Sequence, residues 1–164
     1  TTPELIYGFG GTVGGKGVDF SFYFQGSARS SFFINSENIS PFYLNGGSQN
    51  GLLQAVADSY WSEDNRDLYA FWPRLSEGVV ANNNQRSTWW MRDGAFLRLK
   101  TVELGYTFKQ SLMDRLRAKN LRIYANGMNL FAISRFKMWD VEMGGNGIGY
   151  PIQAAYNIGL QLGF

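Results

Sequence analysis

Val18-Asp19-Phe20-Ser21-Phe22-Tyr23-Phe24-Gln25 is the stretch that decides how the chain is read. Its even positions are Val18, Phe20, Phe22 and Phe24, and its odd positions are Asp19, Ser21, Tyr23 and Gln25. Side chains of a β-strand alternate between faces, so this run presents one apolar and one polar face, as a strand between two environments requires. The C-terminal end repeats the pattern: Tyr156, Ile158, Leu160, Leu162 and Phe164 alternate with Ala155, Asn157, Gly159, Gln161 and Gly163. Weaker alternation runs through Leu5, Tyr7 and Phe9, through Val102, Leu104, Tyr106 and Phe108, and through Leu121, Ile123 and Ala125. The period predicts five strands, near residues 4–12, 17–27, 95–109, 120–134 and 153–164.

The connections between these strands alternate in length. Gly14-Gly15-Lys16 reads as a tight turn, residues 28–94 as one very long excursion, residues 110–119 as short, and residues 135–152 as long again. A structureless loop of that first length is improbable inside a compact soluble domain. Two short helices are expected within the connections. One has Leu52, Leu53, Val56 and Tyr60 at helical spacing after Asn50 as a cap; the other has Ser111 and Asp114 as a capping box, with Leu112 and Leu116 on one side.

Composition removes several functions. The chain has no His and no Cys, which excludes a Ser-His-Asp triad, a thiol nucleophile, disulfides and zinc sites of the usual ligand types. A net charge of +2 with no Lys/Arg stripe gives no footprint for nucleic acid. Aromatics make up 16% of the residues, against disorder. No apolar stretch approaches the length of a transmembrane helix. Thr1-Thr2-Pro3-Glu4 lacks a secretory pattern, so the chain is expected to begin within a longer one or after a removed signal.

Alternation fits both a membrane barrel and a soluble sandwich. Three features favour the barrel. The polar faces carry Gly, Ser, Asn, Gln, Thr and Tyr rather than Lys and Glu, aromatics gather near strand ends, and the last apolar alternation ends on Phe164. Short turns at one end and long loops at the other also belong to outer-membrane barrels. Five strands cannot close one, since the smallest need about eight. An open sheet in lipid leaves unpaired backbone edges at several kcal/mol per group, so most of the barrel is expected to lie elsewhere. The competing readings are a secreted soluble β-sandwich that binds carbohydrate, an eight-stranded barrel with three more strands within residues 28–94, and a catalytic barrel, which the missing His disfavours for the lipase type.

The run Trp89-Trp90-Met91-Arg92-Asp93-Gly94-Ala95-Phe96-Leu97-Arg98-Leu99-Lys100-Thr101-Val102-Glu103-Leu104-Gly105-Tyr106 resembles a block near the C-terminus of SusC/RagA-type TonB-dependent outer-membrane transporters. So do Asn120-Leu121-Arg122-Ile123-Tyr124-Ala125-Asn126-Gly127-Met128-Asn129-Leu130-Phe131 and Trp139-Asp140-Val141-Glu142-Met143-Gly144-Gly145-Asn146-Gly147 with Tyr150-Pro151. Tyr60-Trp61 with Asn65, Pro73-Arg74-Leu75, and Tyr7-Gly8-Phe9-Gly10 with Val18-Asp19-Phe20 resemble the family's preceding segments, while residues 28–50 match least. The resemblance implies an all-β transmembrane antiparallel barrel of about 22 strands, of which these are the last five, in the outer membrane of a Gram-negative bacterium. It further implies a plug, TonB acting through a missing N-terminal part, a SusD-like lipoprotein, and import of oligosaccharides or peptides without enzymatic chemistry or a cofactor. It places residues 28–94 and 135–152 outside the cell, and gives Tyr156, Ile158, Leu160, Leu162 and Phe164 to the strand presented to the assembly machinery.

All five tryptophans, Trp61, Trp72, Trp89, Trp90 and Trp139, fall in the connections. Each offers a flat face for a sugar ring or peptide side chain and one N–H donor, or else packs the loops together. Glu63, Asp64 and Asp67, and separately Asp140 and Glu142, are paired acids whose bland reading is solvation rather than glycosidase chemistry. Asp140, Glu142 and Asn146 carry oxygens for a cation, without the spacing of an EF-hand. Gly144-Gly145-Asn146-Gly147 lacks the Lys-Ser/Thr of a phosphate loop and reads as a tight turn. Arg98 and Lys100 are expected at the outer end of a strand, near lipopolysaccharide or the lumen. Arg122, on a face with Tyr124 and Asn126, is expected to form salt bridges from the lumen wall to the plug.

Overall fold

The computed structural model describes residues 2–42, 51–78, 80–116 and 118–164, except the side chains of residues 115 and 116. The chain divides into two compact units, residues 1–31, 93–143 and 150–164 forming one and residues 32–92 with 144–149 the other.

The first unit is built on a five-stranded antiparallel sheet. β1 (Leu5–Gly15), β2 (Val18–Ala28), β5 (Phe96–Thr107), β6 (Asn120–Ser134) and β7 (Ala155–Gly163) pair in that order. The five expected strands are these five. β3 (Ser31–Phe33) and β4 (Met91–Asp93), too short to alternate visibly, form a separate two-stranded sheet. Those are the strands found in the long connection among the described residues, so an eight-stranded barrel is not supported. Among the described residues, the apolar face is not covered as a sandwich requires: Ile158 is 85%, Leu160 63% and Leu104 55% exposed.

Side-chain parity is kept by a bulge. Tyr23 pairs with Thr101 and Phe24 with Leu99, so Lys100 has no partner on β2. In an uninterrupted strand Leu99 and Val102 would face opposite ways. With the extra residue, Leu97, Leu99, Val102, Leu104 and Tyr106 lie opposite Gly26, Phe24, Phe22, Phe20 and Val18, on one apolar face. Along it, Phe9 stacks on Phe24 at 5.3 Å, Phe22 meets Phe24 at 5.9 Å, and Phe24 meets Phe131 at 6.3 Å between ring centroids. On β6 the compensating irregularity falls at Asn129, which takes φ of 52°.

Local structure departs from expectation at three places. The tight turn is Lys16-Gly17, because Gly14 and Gly15 still pair with Asp19 and Val18. Its residues take φ of 54° and 89°, the paired positive values of a two-residue hairpin turn. The helix expected from Leu52 to Tyr60 is only α2 (Gln54–Ala57); Leu53 precedes it without a side-chain cap, Leu52 and Leu53 are exposed, Val56 alone is buried, and Asn50 lies outside the described residues. α1 (Ser36–Ile39) and α3 (Ala81–Asn84) also fall in the long connection. Ser111 sits inside α4 (Gln110–Leu116) and is not its cap: Gln110 Nε2 donates to Asp114 Oδ1, and Met113, not Leu112, is buried.

The second unit has a conventional core of Ile34, Val56, Ala70, Trp72 and Trp90. Phe71 is its hub. Trp72 lies 4.4 Å away, Trp90 meets it edge-on at 6.4 Å, and the Arg92 guanidinium covers it at 4.6 Å. Arg92 also donates to the Trp89 and Met91 carbonyls, and burial lowers its guanidinium from the ordinary value, though arginine stays cationic. Ile34 N–H donates to Trp90 O and Asn35 N–H to Gly145 O, both at 2.9 Å, closing the unit with backbone bonds. The long excursion is therefore not structureless.

A β-carbon at Gly17 would lie 2.5 Å from Thr107 O, on a backbone that disfavours any side chain. Gly17→Val in the intact protein is expected to cost about 1–3 kcal/mol. A denaturant midpoint equal to that of the unsubstituted protein would rule this turn out.

Candidate functional site

On the polar face of the sheet, three strands converge through one guanidinium. Arg122 Nη2 on β6 donates to Asp19 Oδ2 on β2 at 2.5 Å and to Glu103 Oε1 on β5 at 2.7 Å. The Tyr124 ring lies 5.2 Å below the charge. Asn126 Nδ2 donates to Glu103, and Asn157 Nδ2 on β7 donates to Asn126 Oδ1 at 2.9 Å. Close packing demands small residues beneath: a β-carbon at Gly105 would strike Arg122 and Asp19, and one at Gly159 would strike the Tyr124 ring. Among the described residues, the partners of Arg122 are carboxylates of the sheet itself.

A second ion cluster holds the turn after β6. Arg98 is 3% exposed, and its Nη2 donates to Asp140 Oδ1 at 2.5 Å. Its Nε is ion-paired with Glu142 Oε2 without hydrogen-bond alignment. Lys100 Nζ reaches Glu142 Oε1 at 3.0 Å, and Glu142 N–H donates back to Asp140. Arg98 and Lys100 thus find their counter-charges within the chain, in Asp140 and Glu142. Asp140 and Glu142 are paired with cations of the chain. Asn146 belongs to the other unit, where its carbonyl accepts from Gly149 N–H at 3.2 Å. Among the described residues, no group of acids is arranged to hold a metal.

The five tryptophans serve different ends. Trp72 and Trp90 are core residues, 4% and 1% exposed, with indole N–H groups on the Ile39 and Asn83 carbonyls. Neither can stack on a ligand. Trp139 packs edge-on against Phe136 at 4.8 Å. Trp61 and Trp89 are half-buried and line an open cavity of about 490 Å³ in the second unit, with Arg74, Arg86, Asn82 and Gln85 among its other walls. Trp89 is held in place by its N–H bond to Phe71 O at 3.2 Å. Trp61 is held by its backbone, whose N–H donates to Trp72 O at 3.0 Å, and its indole N–H donates to no described residue. Glu63 pairs with Arg74 at 2.8 Å instead of with another acid, so the proposed acid pair of residues 63–67 does not form a catalytic dyad.

An exposed apolar face backed by a charged, hydrogen-bonded one is the cross-section of a membrane barrel wall. Comparison with known proteins agrees. No protein-family model matches the chain. TonB-dependent receptor P26 of Formosa agariphila is 36% identical over 163 residues, which are 96% of this chain and 15% of that receptor. TonB-dependent receptor SusC of Bacteroides thetaiotaomicron is 27% identical over 169 residues, again 15% of its length. The RagAB peptide importer in its open-open state superimposes with a TM-score of 0.70 at 26% identity, covering 99% of this chain and 17% of that one. The chain spans about 15% of the length of the curated relatives it matches. It is a segment of a SusC/RagA-type TonB-dependent receptor, and its sheet matches part of the transporter barrel.

Replacing Arg98 by Met leaves two carboxylates facing a pocket without their buried cation, a loss of about 3–5 kcal/mol for a broken buried pair. In the intact receptor, limited proteolysis within residues 135–152 is expected to accelerate. Arg135→Gln, which loses only an exposed 3.6 Å pair with Asp93, should leave cleavage unchanged. Equal cleavage of both variants would remove the latch.

Proposed function

We propose that the segment forms the last five strands and closing wall of an outer-membrane barrel of about 22 strands, which imports oligosaccharides or peptides on energy delivered by TonB. In this reading the polar face lines the lumen around a plug, the long connections face outward toward a SusD-like lipoprotein and the substrate, and the short turns face the periplasm. Tyr156, Ile158, Leu160, Leu162 and Phe164 are the residues that the assembly machinery receives, and β7 then pairs with the first strand of the whole chain. The protein moves its substrate without chemical change and is not an enzyme.

The observation that carries this is the contrast between faces. The apolar face exposes Leu104, Ile158 and Leu160, while the opposite one holds the Arg122–Asp19–Glu103 network. Hydrocarbon tolerates a strand only if its outward side chains are apolar and its backbone is fully paired. The edges of β1 and β7 have no partner strand in this sheet, which is the condition of a segment cut from a closed ring. The likeness to RagAB and SusC, a peptide importer and a TonB-dependent receptor, supports transport as the activity.

Single tryptophans placed at Leu160 and at Gln161 separate the faces. In the full-length receptor reconstituted with brominated lipid, fluorescence at position 160 is expected to be strongly quenched and at position 161 weakly. The opposite order would overturn the barrel orientation.

A further inference from the structure

The cavity beside Trp61 and Trp89 carries a charge that no described carboxylate answers. Arg86 lies at its wall, with its guanidinium held 5.1 Å over the Phe33 ring, and no described carboxylate pairs with it. Arg74 at the same wall is partly neutralised by Glu63. None of the lining residues is Asp or Glu. The indole N–H of Trp61 has no acceptor among the described residues, whereas the indoles of Trp72, Trp89 and Trp90 each donate to a carbonyl. Asn82, Gln85 and Ser87 add amides and a hydroxyl.

From this we infer that the cavity binds an anionic sugar unit, a carboxylated or sulfated residue of an oligosaccharide. The inference rests on the importer reading and names its substrate class. A volume of about 490 Å³ falls within the range of small-molecule sites and holds one or two sugar rings. The flat indoles take the ring faces, the amides and the Trp61 N–H take hydroxyls, and Arg86 takes the acid in a charge-assisted pair. Phe33 holds the guanidinium in position beforehand, so less side-chain freedom is lost on binding. A peptide fits less well, because its terminal ammonium would meet two guanidiniums and no carboxylate of the lining.

Titration calorimetry on the detergent-solubilised full-length receptor tests this with three probes: trigalacturonate, the neutral galactotriose, and triglutamate. Trigalacturonate is expected to bind at least about tenfold more tightly than galactotriose, the equivalent of one charge-assisted contact. Arg86→Gln should erase that preference, and Trp61→Phe should weaken both sugars. Arg86 is exposed and Trp61 half-buried, and an unchanged thermal transition shows that the variants fold. Equal binding of the neutral sugar, a preference that survives Arg86→Gln, full affinity in Trp61→Phe, or triglutamate binding as tight as trigalacturonate would each overturn the assignment. Lipid quenching keeps the two readings apart: if position 160 is quenched and trigalacturonate does not bind, the cavity assignment falls and the barrel stands.

Discussion

A sheet that meets hydrocarbon on one side must keep its side-chain parity in step across every strand. One slipped residue turns a whole strand inside out, placing charge in lipid and leucine in the lumen. β5 meets this demand under difficulty, because its sequence changes parity between Leu99 and Val102. The bulge at Lys100 absorbs the change. It leaves Phe24 and Leu99 paired on the apolar side and brings Arg98 and Lys100 to acids of the turn after β6. One irregularity thus preserves the lipid face and supplies the cations that hold Asp140 and Glu142.

The two units are stabilised by different physics. The sheet of the first has little buried apolar volume. Its cohesion comes from backbone pairing, the phenylalanine row and ion networks on the polar side, where Gly105 and Gly159 let Arg122 and Tyr124 lie flat against neighbouring strands. The second unit is a small globule in the ordinary sense, with aromatic residues packed about Phe71 and tryptophan N–H groups paired to carbonyls. Removing apolar area from water stabilises the second; for the first, the apolar face awaits a non-aqueous neighbour.

The alternating strands could be read directly. Val18–Phe24 and Tyr156–Phe164 state their faces in sequence because a period of two is local. What escaped was non-local or too short. β3 and β4 have three residues each and no period to show. The buried role of Trp72 and Trp90 depends on carbonyls 33 and 7 residues away. The partners of Arg122 lie 103 and 19 residues off. One signal was present: Arg98 and Lys100 are spaced by two, as are Asp140 and Glu142, so two cations on one strand face were matched by two acids at the same interval. The parity break between Leu99 and Val102 was a second, since an apolar run that changes phase within a strand asks for a bulge. The cavity pair Trp61 and Trp89 was named among five candidates, but only the geometry separates it from the tryptophans that build the core.

The second unit closes its own hydrogen bonds and fills its own centre, and every residue around its cavity belongs to it. Arg86, Asn82 and Gln85 sit on that rim while Trp72, Trp90 and Phe71 hold the interior. Rim and interior are therefore separate sets of side chains: an exchange at Arg86, Asn82 or Gln85 leaves the packing about Phe71 untouched, as surface substitutions away from a core do.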